Sequence, residues 1–362
     1  MSHVHLMTYP EAMVVGLIQG VTELFPASSL GHNVLIPALI GGSWASDLNV
    51  AAPESPYLAF IVGLHVATAI ALLIYFWRDW VRIIRGFFTS IRDRDIVTSD
   101  QKLAWMIVLA TIPVGLAGLL FEHPFRVLFG KPILAAVFLI VNGVILFTGE
   151  KFRTRKSRQA DDEVAEERRQ AMAPAPAQHE PAAGVAAVGL TGAADGSTTT
   201  VGPPRRPGHG SHAAAKPDPR ALRAADSAAA VRADRRLSTL SFLQAVIIGS
   251  AQILALLAGI SRDGVTMVAG MFRGLSREDA ARFSFLLATP VILAAGALKA
   301  QDLIDKGHGI YGPILAGSIL SGVGAYVSVR YLVRYFQTRT LTPFAIYCVL
   351  FGLGSIIYLQ VR

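Results

Sequence analysis

IQGVTELFPASSLGH, residues 18–32, lies inside a run from Ala12 to Ser46 whose only formal charge is Glu23. An apolar run of that length is ready to enter a membrane, yet it carries an acid, adjacent serines, a histidine and a proline. Pro26 removes a backbone donor and ends a helix, so the run reads as two short helices around a polar break. An ionisable residue in such a segment costs at least about 2.5 kcal/mol unless it is paired, and is by default a functional hypothesis.

The rest of the chain agrees with a membrane setting. Charged residues make up 16% of the 362 and apolar ones 52%, with a mean hydropathy of +0.48, whereas soluble domains carry about 25% charged residues. Six uncharged stretches approach the roughly 20 residues needed to cross the hydrocarbon layer. They are Leu58–Phe76, Leu103–Phe121, Ile133–Gly149, Phe283–Leu298, Ile310–Val329 and Thr342–Leu359. The opening MSHVHLMTYPEAM lacks the basic start and apolar run of a cleavable signal peptide. Cys348, the single cysteine, reads as an apolar packing residue. His65, inside the first of these stretches, reads as lining the site or pairing internally.

Between Lys151 and Arg236 the composition shifts to Ala, Pro and Gly, with 15 Lys/Arg against 10 Asp/Glu. Such a segment cannot bury enough apolar surface to offset ordering, so it reads as a disordered linker with a short charged helix near DDEVAEERRQ. Its histidines, His179, His209 and His212, read as solvated rather than metal-binding. Basic residues also crowd RDWVRIIRGFFTSIRDRD and RYLVRYFQTR, while the alternate loops EHPFRVLFGK and QDLIDKGHG are mixed. The positive-inside tendency then puts the linker in the cytoplasm and the C-terminus outside. That basic excess is spent on orientation, and no nucleic-acid partner is expected.

Two apolar regions remain, Ala12–Ser46 and Leu237–Phe272. Aligned, they share Gly16 with Gly249, Gln19 with Gln252, Leu24 with Leu257, Ser28 with Ser261 and Gly31 with Gly264, each pair 233 positions apart. Each half therefore reads as one interrupted hairpin followed by three crossings. Three is odd, so the second copy enters the membrane from the opposite side, the arrangement in which broken helices meet near the bilayer midplane. The expected fold is an all-α polytopic membrane protein, an inverted repeat with six transmembrane helices plus two re-entrant helix-loop-helix elements. Its parts are residues 1–150, a linker at 151–236, and residues 237–362.

The two breaks carry complementary chemistry. Gln19 and Glu23 are four apart and share a helix face. Ser28, Ser29 and His32 follow, where a new helix presents free N–H groups to an anion. From the other half, Arg262 brings a forked guanidinium suited to phosphate oxygens, beside Ser261, Gly264 and Thr266. The structural alternative is that Glu23 and Arg262 form a buried ion pair stitching the halves together, with the serines satisfying backbone groups.

GLIQGVTELFPASSLGH together with LLAGISRDGVTM and ARFSFLLATPVILAAG resembles the bacterial undecaprenyl-diphosphate phosphatase family, associated with bacitracin resistance. The resemblance spans nearly the whole chain outside the linker. It implies a bacterial cell-membrane enzyme that removes the terminal phosphate of a C55 isoprenoid diphosphate, regenerating the cell-wall lipid carrier, with a site opening outward and a homodimeric assembly. It also implies a cast: Glu23 as a ligand to Mg²⁺ or Ca²⁺ with Gln19 orienting it, and Arg262 holding the diphosphate. His32 would shuttle a proton or attack phosphorus, with Ser28 the alternative nucleophile and Ser29, Ser261, Gly264 and Thr266 as substrate contacts. Two positions depart from the family pattern, Ala258 replacing a usual proline and Asp263 a usual serine. Asp263 would either compete for the Arg262 guanidinium or serve as a further metal ligand. Other classes stay open: a carrier that flips the lipid phosphate, since transporters share the inverted-repeat plan, or a phosphatase-like relative altered by Asp263.

Overall fold

A computed structural model describes residues 7–48, 56–129, 131–172, 219–298 and 310–361. Among these residues the fold is entirely helical. Five helices are long and apolar enough to cross a membrane: Ser99–Phe121 within α6 (Ser99–Phe129), α7 (Pro132–Lys151), α12 (Arg277–Leu298), α13 (Tyr311–Tyr335) and α14 (Thr342–Val361). The number reaches seven if two sharply bent helix pairs are each taken as one span. The chain is a multi-pass membrane protein.

One bent pair joins α4 (Pro56–Tyr75) to α5 (Trp77–Asp93) at 86°. The segment read as a basic loop after the first span is therefore helix α5. It alternates Arg and Asp with the exposed apolar residues Val81, Ile84, Phe88 and Ile91, the pattern of a helix lying along an interface. The second bend, at 96°, separates residues 228–237 from 242–256.

The two halves begin alike. α1 (Tyr9–Thr22) opens on a capping box in which Glu11 accepts from the Thr8 backbone N–H at 2.8 Å. α10 (Phe242–Ser250) opens on the same device 233 positions later, with Gln244 accepting from the Ser241 N–H at 2.9 Å. Gly16 of α1 lies against the backbone of Gly317 in α13, and its counterpart Gly249 of α10 lies against the backbone of Ala110 in α6. In both places a side chain would strike a neighbouring carbonyl oxygen. Such glycines let helices approach closely where lipid removes the hydrophobic drive for association.

The linker departs from the expectation of disorder at both of its ends; residues 173–218 lie outside those described. The charged helix expected near DDEVAEERRQ is longer, α8 (Arg155–Met172), and a second, α9 (Pro219–Leu237), leads into the second half. Composition alone misses them because much of their order comes from ion pairs with the bundle. Asp234 meets Arg82 at 2.6 Å and Arg282 at 2.8 Å; Arg236 clasps both oxygens of Asp279 at 2.8 and 2.9 Å; Arg168 meets Glu278 at 2.6 Å. Burial holds the Asp234 carboxyl above its ordinary range, opposed by the two guanidinium groups.

Candidate active site

Each apolar hairpin is broken where its sequence carries Pro or Gly. α1 stops at Thr22, residues 23–28 turn through Pro26, and α2 (Ser29–Ile40) begins with Ser28 as its N-cap. In the other half, α10 runs into a 3₁₀ segment at Ala251–Leu256, and α11 (Arg262–Phe272) begins with Ser261 as its N-cap. Ser28 accepts from the Gly31 N–H at 3.2 Å and Ser261 from the Gly264 N–H at 3.1 Å, so the paired serines do the same local work. Ser28 adopts φ 62°, a left-handed backbone uncommon for a side-chain-bearing residue. It persists because the Ser28 hydroxyl oxygen also accepts from the Gly259 N–H of the opposite half, at 3.2 Å.

The two loops touch. Gly259 has φ 112° and no room for a Cβ, which would run into the backbone of Ala135. Asn142, wholly buried in α7, clamps both breaks: its amide donates to the Pro26 carbonyl at 3.0 Å, and its carbonyl accepts from the Ser261 N–H at 2.9 Å. Sequence reading did not single out Asn142. The available signal is that it is the one hydrogen-bonding side chain in PILAAVFLIVNGVILF.

This clamp brings Glu23 to Arg262, with Nη2 donating to Oε1 at 2.8 Å. The other carboxylate oxygen accepts from Ser29 Oγ at 2.5 Å and from the Gln19 amide at 2.7 Å. Gln19 is itself oriented by Asn33, which donates to its carbonyl at 2.5 Å. His65 Nε2 lies 3.5 Å from Glu23 Oε2 and 3.3 Å from the Gln19 amide nitrogen, while its Nδ1 sits 2.8 Å from the Ile61 carbonyl and so carries a proton. Glu23 and Gln19 are buried, whereas the Arg262 and His65 side chains keep 15% and 28% of their surface, so the pair opens on the His65 and Arg262 side.

The remaining expected residues are placed differently. His32 is not among the partners of Glu23. Its Nδ1 donates to the Ser28 carbonyl at 2.7 Å, and its Nε2 meets the Tyr347 hydroxyl at 2.7 Å, the ring packing parallel beside both Tyr347 and Phe351. It braces the strained serine. Thr266 donates to the carbonyl of Arg262 at 2.7 Å inside its own helix, and Gly264 gives Leu146 and Pro26 room to pack. Gln252 is buried without reaching Glu23, and its amide atoms find no partner among the described residues.

Asp263 does not take the Arg262 fork away from Glu23. One of its oxygens accepts from Ser284 at 2.8 Å and lies 3.9 Å from Arg262 Nε; the other is buried without a partner. Among the described residues no group of three or more His, Cys, Asp or Glu is spaced to hold a metal ion by itself. Glu23 is thus the one carboxylate hydrogen-bonded to the Arg262 guanidinium, with Asp263 at the edge of its reach. That donor set suits a hard cation which takes most of its oxygens from a phosphate and from water.

A carboxylate, an arginine fork and a hydroxyl converging between broken apolar helices define a membrane protein built to handle an anionic, phosphate-like headgroup. Comparison with known proteins makes this specific. Residues 12–173 and 221–354 match the family described as "Bacitracin resistance protein BacA". The chain belongs to that family. It is 54% identical over 357 residues to an undecaprenyl-diphosphatase of Mycolicibacterium paratuberculosis, covering 98% of this chain and 99% of that one. It is 52% identical to undecaprenyl-diphosphatase 1 of Frankia casuarinae, covering 95% and 96%, and 35% identical to undecaprenyl-diphosphatase 2 of Chromobacterium violaceum, covering 96% and 98%.

Proposed function

We propose that this chain hydrolyses undecaprenyl diphosphate to undecaprenyl phosphate and inorganic phosphate, the activity for which its relatives are named, at the Glu23–Arg262 pair. The observation that carries the reading is the 2.8 Å contact between an acid from one half and a guanidinium from the other, with the Ser29 hydroxyl 2.5 Å from the same carboxylate. Phosphoryl transfer asks a protein chiefly for positioning and charge neutralisation. Arg262 binds the diphosphate oxygens.

The nucleophile is Ser29 rather than Ser28 or His32. The Ser28 oxygen already accepts two backbone N–H groups and joins the loops, and His32 is occupied by Ser28 and Tyr347. Ser29 Oγ forms a bond to the terminal phosphorus while Glu23 takes the hydroxyl proton, and the anhydride bond breaks to release the lipid monophosphate. Water then attacks the phosphoserine phosphorus, His65 Nε2 taking its proton, while the protonated Glu23 returns a proton to Ser29 Oγ as the ester bond breaks; serine is regenerated and inorganic phosphate is released. A divalent cation bound by Glu23 and the substrate oxygens would add neutralisation of the developing negative charge.

The architecture that suits this chemistry is the inverted repeat with six crossings and two re-entrant elements. It is supported by the matched capping boxes, glycine contacts and N-cap serines at one fixed offset. The basic loops support a cytoplasmic linker and an outward-opening site. Assembly as a homodimer rests on the resemblance alone, and sedimentation of the purified protein tests it. The deciding assay is phosphate release from C55 diphosphate with Mg²⁺ or Ca²⁺. Release is expected from wild type and lost in Ser29→Ala, Glu23→Gln and Arg262→Ala. Wild-type protein that moves the lipid across vesicles without releasing phosphate would replace the enzyme by a carrier.

A further inference from the structure

A cavity of about 850 Å³ opens at the turn between α13 and α14, away from the catalytic pair: neither Glu23 nor Arg262 lines it. Its wall carries Arg330, Arg334 and Arg339 together with Tyr331, Tyr335 and Thr338, and no carboxylate lines it. The three arginines are exposed, and among the described residues none pairs with an acid. Other exposed arginines, Arg78, Arg85 and Arg273 among them, also pair with no acid among the described residues, but these three line one cavity. Arg82, Arg236, Arg277 and Arg282 are each held by carboxylates at 2.5–3.0 Å. Glu150 reaches the same turn, accepting from the Leu341 N–H at 3.3 Å, but its carboxylate is spent on Arg277 at 2.7 Å. The turn is also built: the Tyr335 hydroxyl donates to the Thr340 carbonyl at 3.2 Å, and the Arg339 N–H donates to the Tyr335 carbonyl at 2.9 Å.

A second feature says what kind of anion fits. Leu315, Ile319, Val323 and Val327 are exposed at a spacing of four along α13, and the next residue in that row is Tyr331 of the cavity wall. Residues four apart are neighbours on a helix surface, so a row of exposed apolar side chains winds along the span and ends at three guanidinium groups without an acid partner. Guanidinium forks match phosphate oxygens, and basic pockets at the ends of membrane helices suit acidic lipid heads.

We propose that this cavity binds the phosphate headgroup of an acidic membrane lipid, with its chain along the Leu315–Val327 row, as a site separate from the catalytic pair. The test uses the full chain in detergent micelles, with native mass spectrometry counting bound dioleoyl phosphatidic acid against dioleoyl phosphatidylcholine. Wild type should retain one phosphatidic acid in preference to the choline lipid. At about fivefold per arginine, the triple variant Arg330→Gln/Arg334→Gln/Arg339→Gln should bind it roughly a hundredfold more weakly. Arg78→Gln/Arg85→Gln, a control that removes two other exposed arginines, should stay near wild type. If the triple variant does not fold, Arg334→Gln alone should still show about the fivefold loss. Unchanged binding in the Arg330, Arg334 and Arg339 variants, or an equal loss in the control, overturns the site. A phosphorus resonance of free inorganic phosphate that shifts with wild-type protein, without any preference among lipids, overturns the lipid as its occupant.

Discussion

Removing one member of the Glu23–Arg262 pair should do two separable things. Both side chains are buried or nearly so, and their 2.8 Å contact is the direct ion pair between the two breaks. Taking away one partner leaves the other charged and uncompensated at low dielectric, which costs about 3–5 kcal/mol. In Arg262→Ala, Glu23 keeps the Ser29 and Gln19 hydrogen bonds, which places the loss toward the lower end of that range. The double variant Glu23→Gln/Arg262→Gln removes both charges while keeping groups that can hydrogen-bond, so most of that stability should return. Activity should not return, because the proton acceptor and the phosphate fork are both gone; each alone accounts for roughly a hundredfold or more in rate. Thermal unfolding in detergent and phosphate release from C55 diphosphate, measured on wild type, both singles and the double, form a complete cycle. A double variant as unstable as the sum of the singles, or an Arg262→Ala protein releasing phosphate within a few fold of wild type, would refute the reasoning.

Ser29→Ala should abolish phosphate release, roughly a thousandfold or more for a lost nucleophile, with little change in unfolding temperature. Ser28→Ala should instead destabilise by about 1–3 kcal/mol, since it orphans two buried N–H groups and leaves the left-handed turn without its tie; unfolding temperature distinguishes the two serines. Asn142→Ala breaks the clamp on both loops and should lower both stability and turnover, whereas Asn142→Asp should retain the Ser261 contact and lose the Pro26 one. Asp263→Asn removes a buried carboxylate oxygen that has no partner and can keep the Ser284 bond, so it should unfold at the same or a higher temperature. Gly16→Leu and Gly249→Leu should each disrupt expression of folded protein, read by size-exclusion chromatography, because both sites lie against backbone.

Several features were legible before any coordinates. A charge-poor chain with long apolar runs must satisfy its backbone internally, and helices do so within each segment, which makes the helical membrane class a matter of composition. The 233-residue offset was readable too, and the structure extends it from the glycines and serines to the capping boxes at Thr8 and Ser241. Glu23 and Arg262 were recognisable because a charge in an apolar run needs a partner, and each lies in a run where few other ions are available.

Spatial decisions were not legible. Ser28 and Ser29 are adjacent and chemically identical, yet one faces two backbone N–H groups and the other a carboxylate, and only the turn through Pro26 chooses between them. His65 reaches Glu23 while His32, nine residues from it in sequence, turns to Tyr347 on α14, because helix packing decides which face each ring meets. The charged ends of the linker are helical for the same reason: their sequence has only a few apolar residues to bury, such as Val164, Ala233 and Leu237, and much of their order comes from arginines and acids on distant helices that composition does not pair. Sequence by itself determined which segments leave water and which few polar groups must go with them, since transfer free energy is additive along a chain; tertiary structure alone decided which of those groups meet, since a hydrogen bond depends on direction and on distances of a few tenths of an ångström.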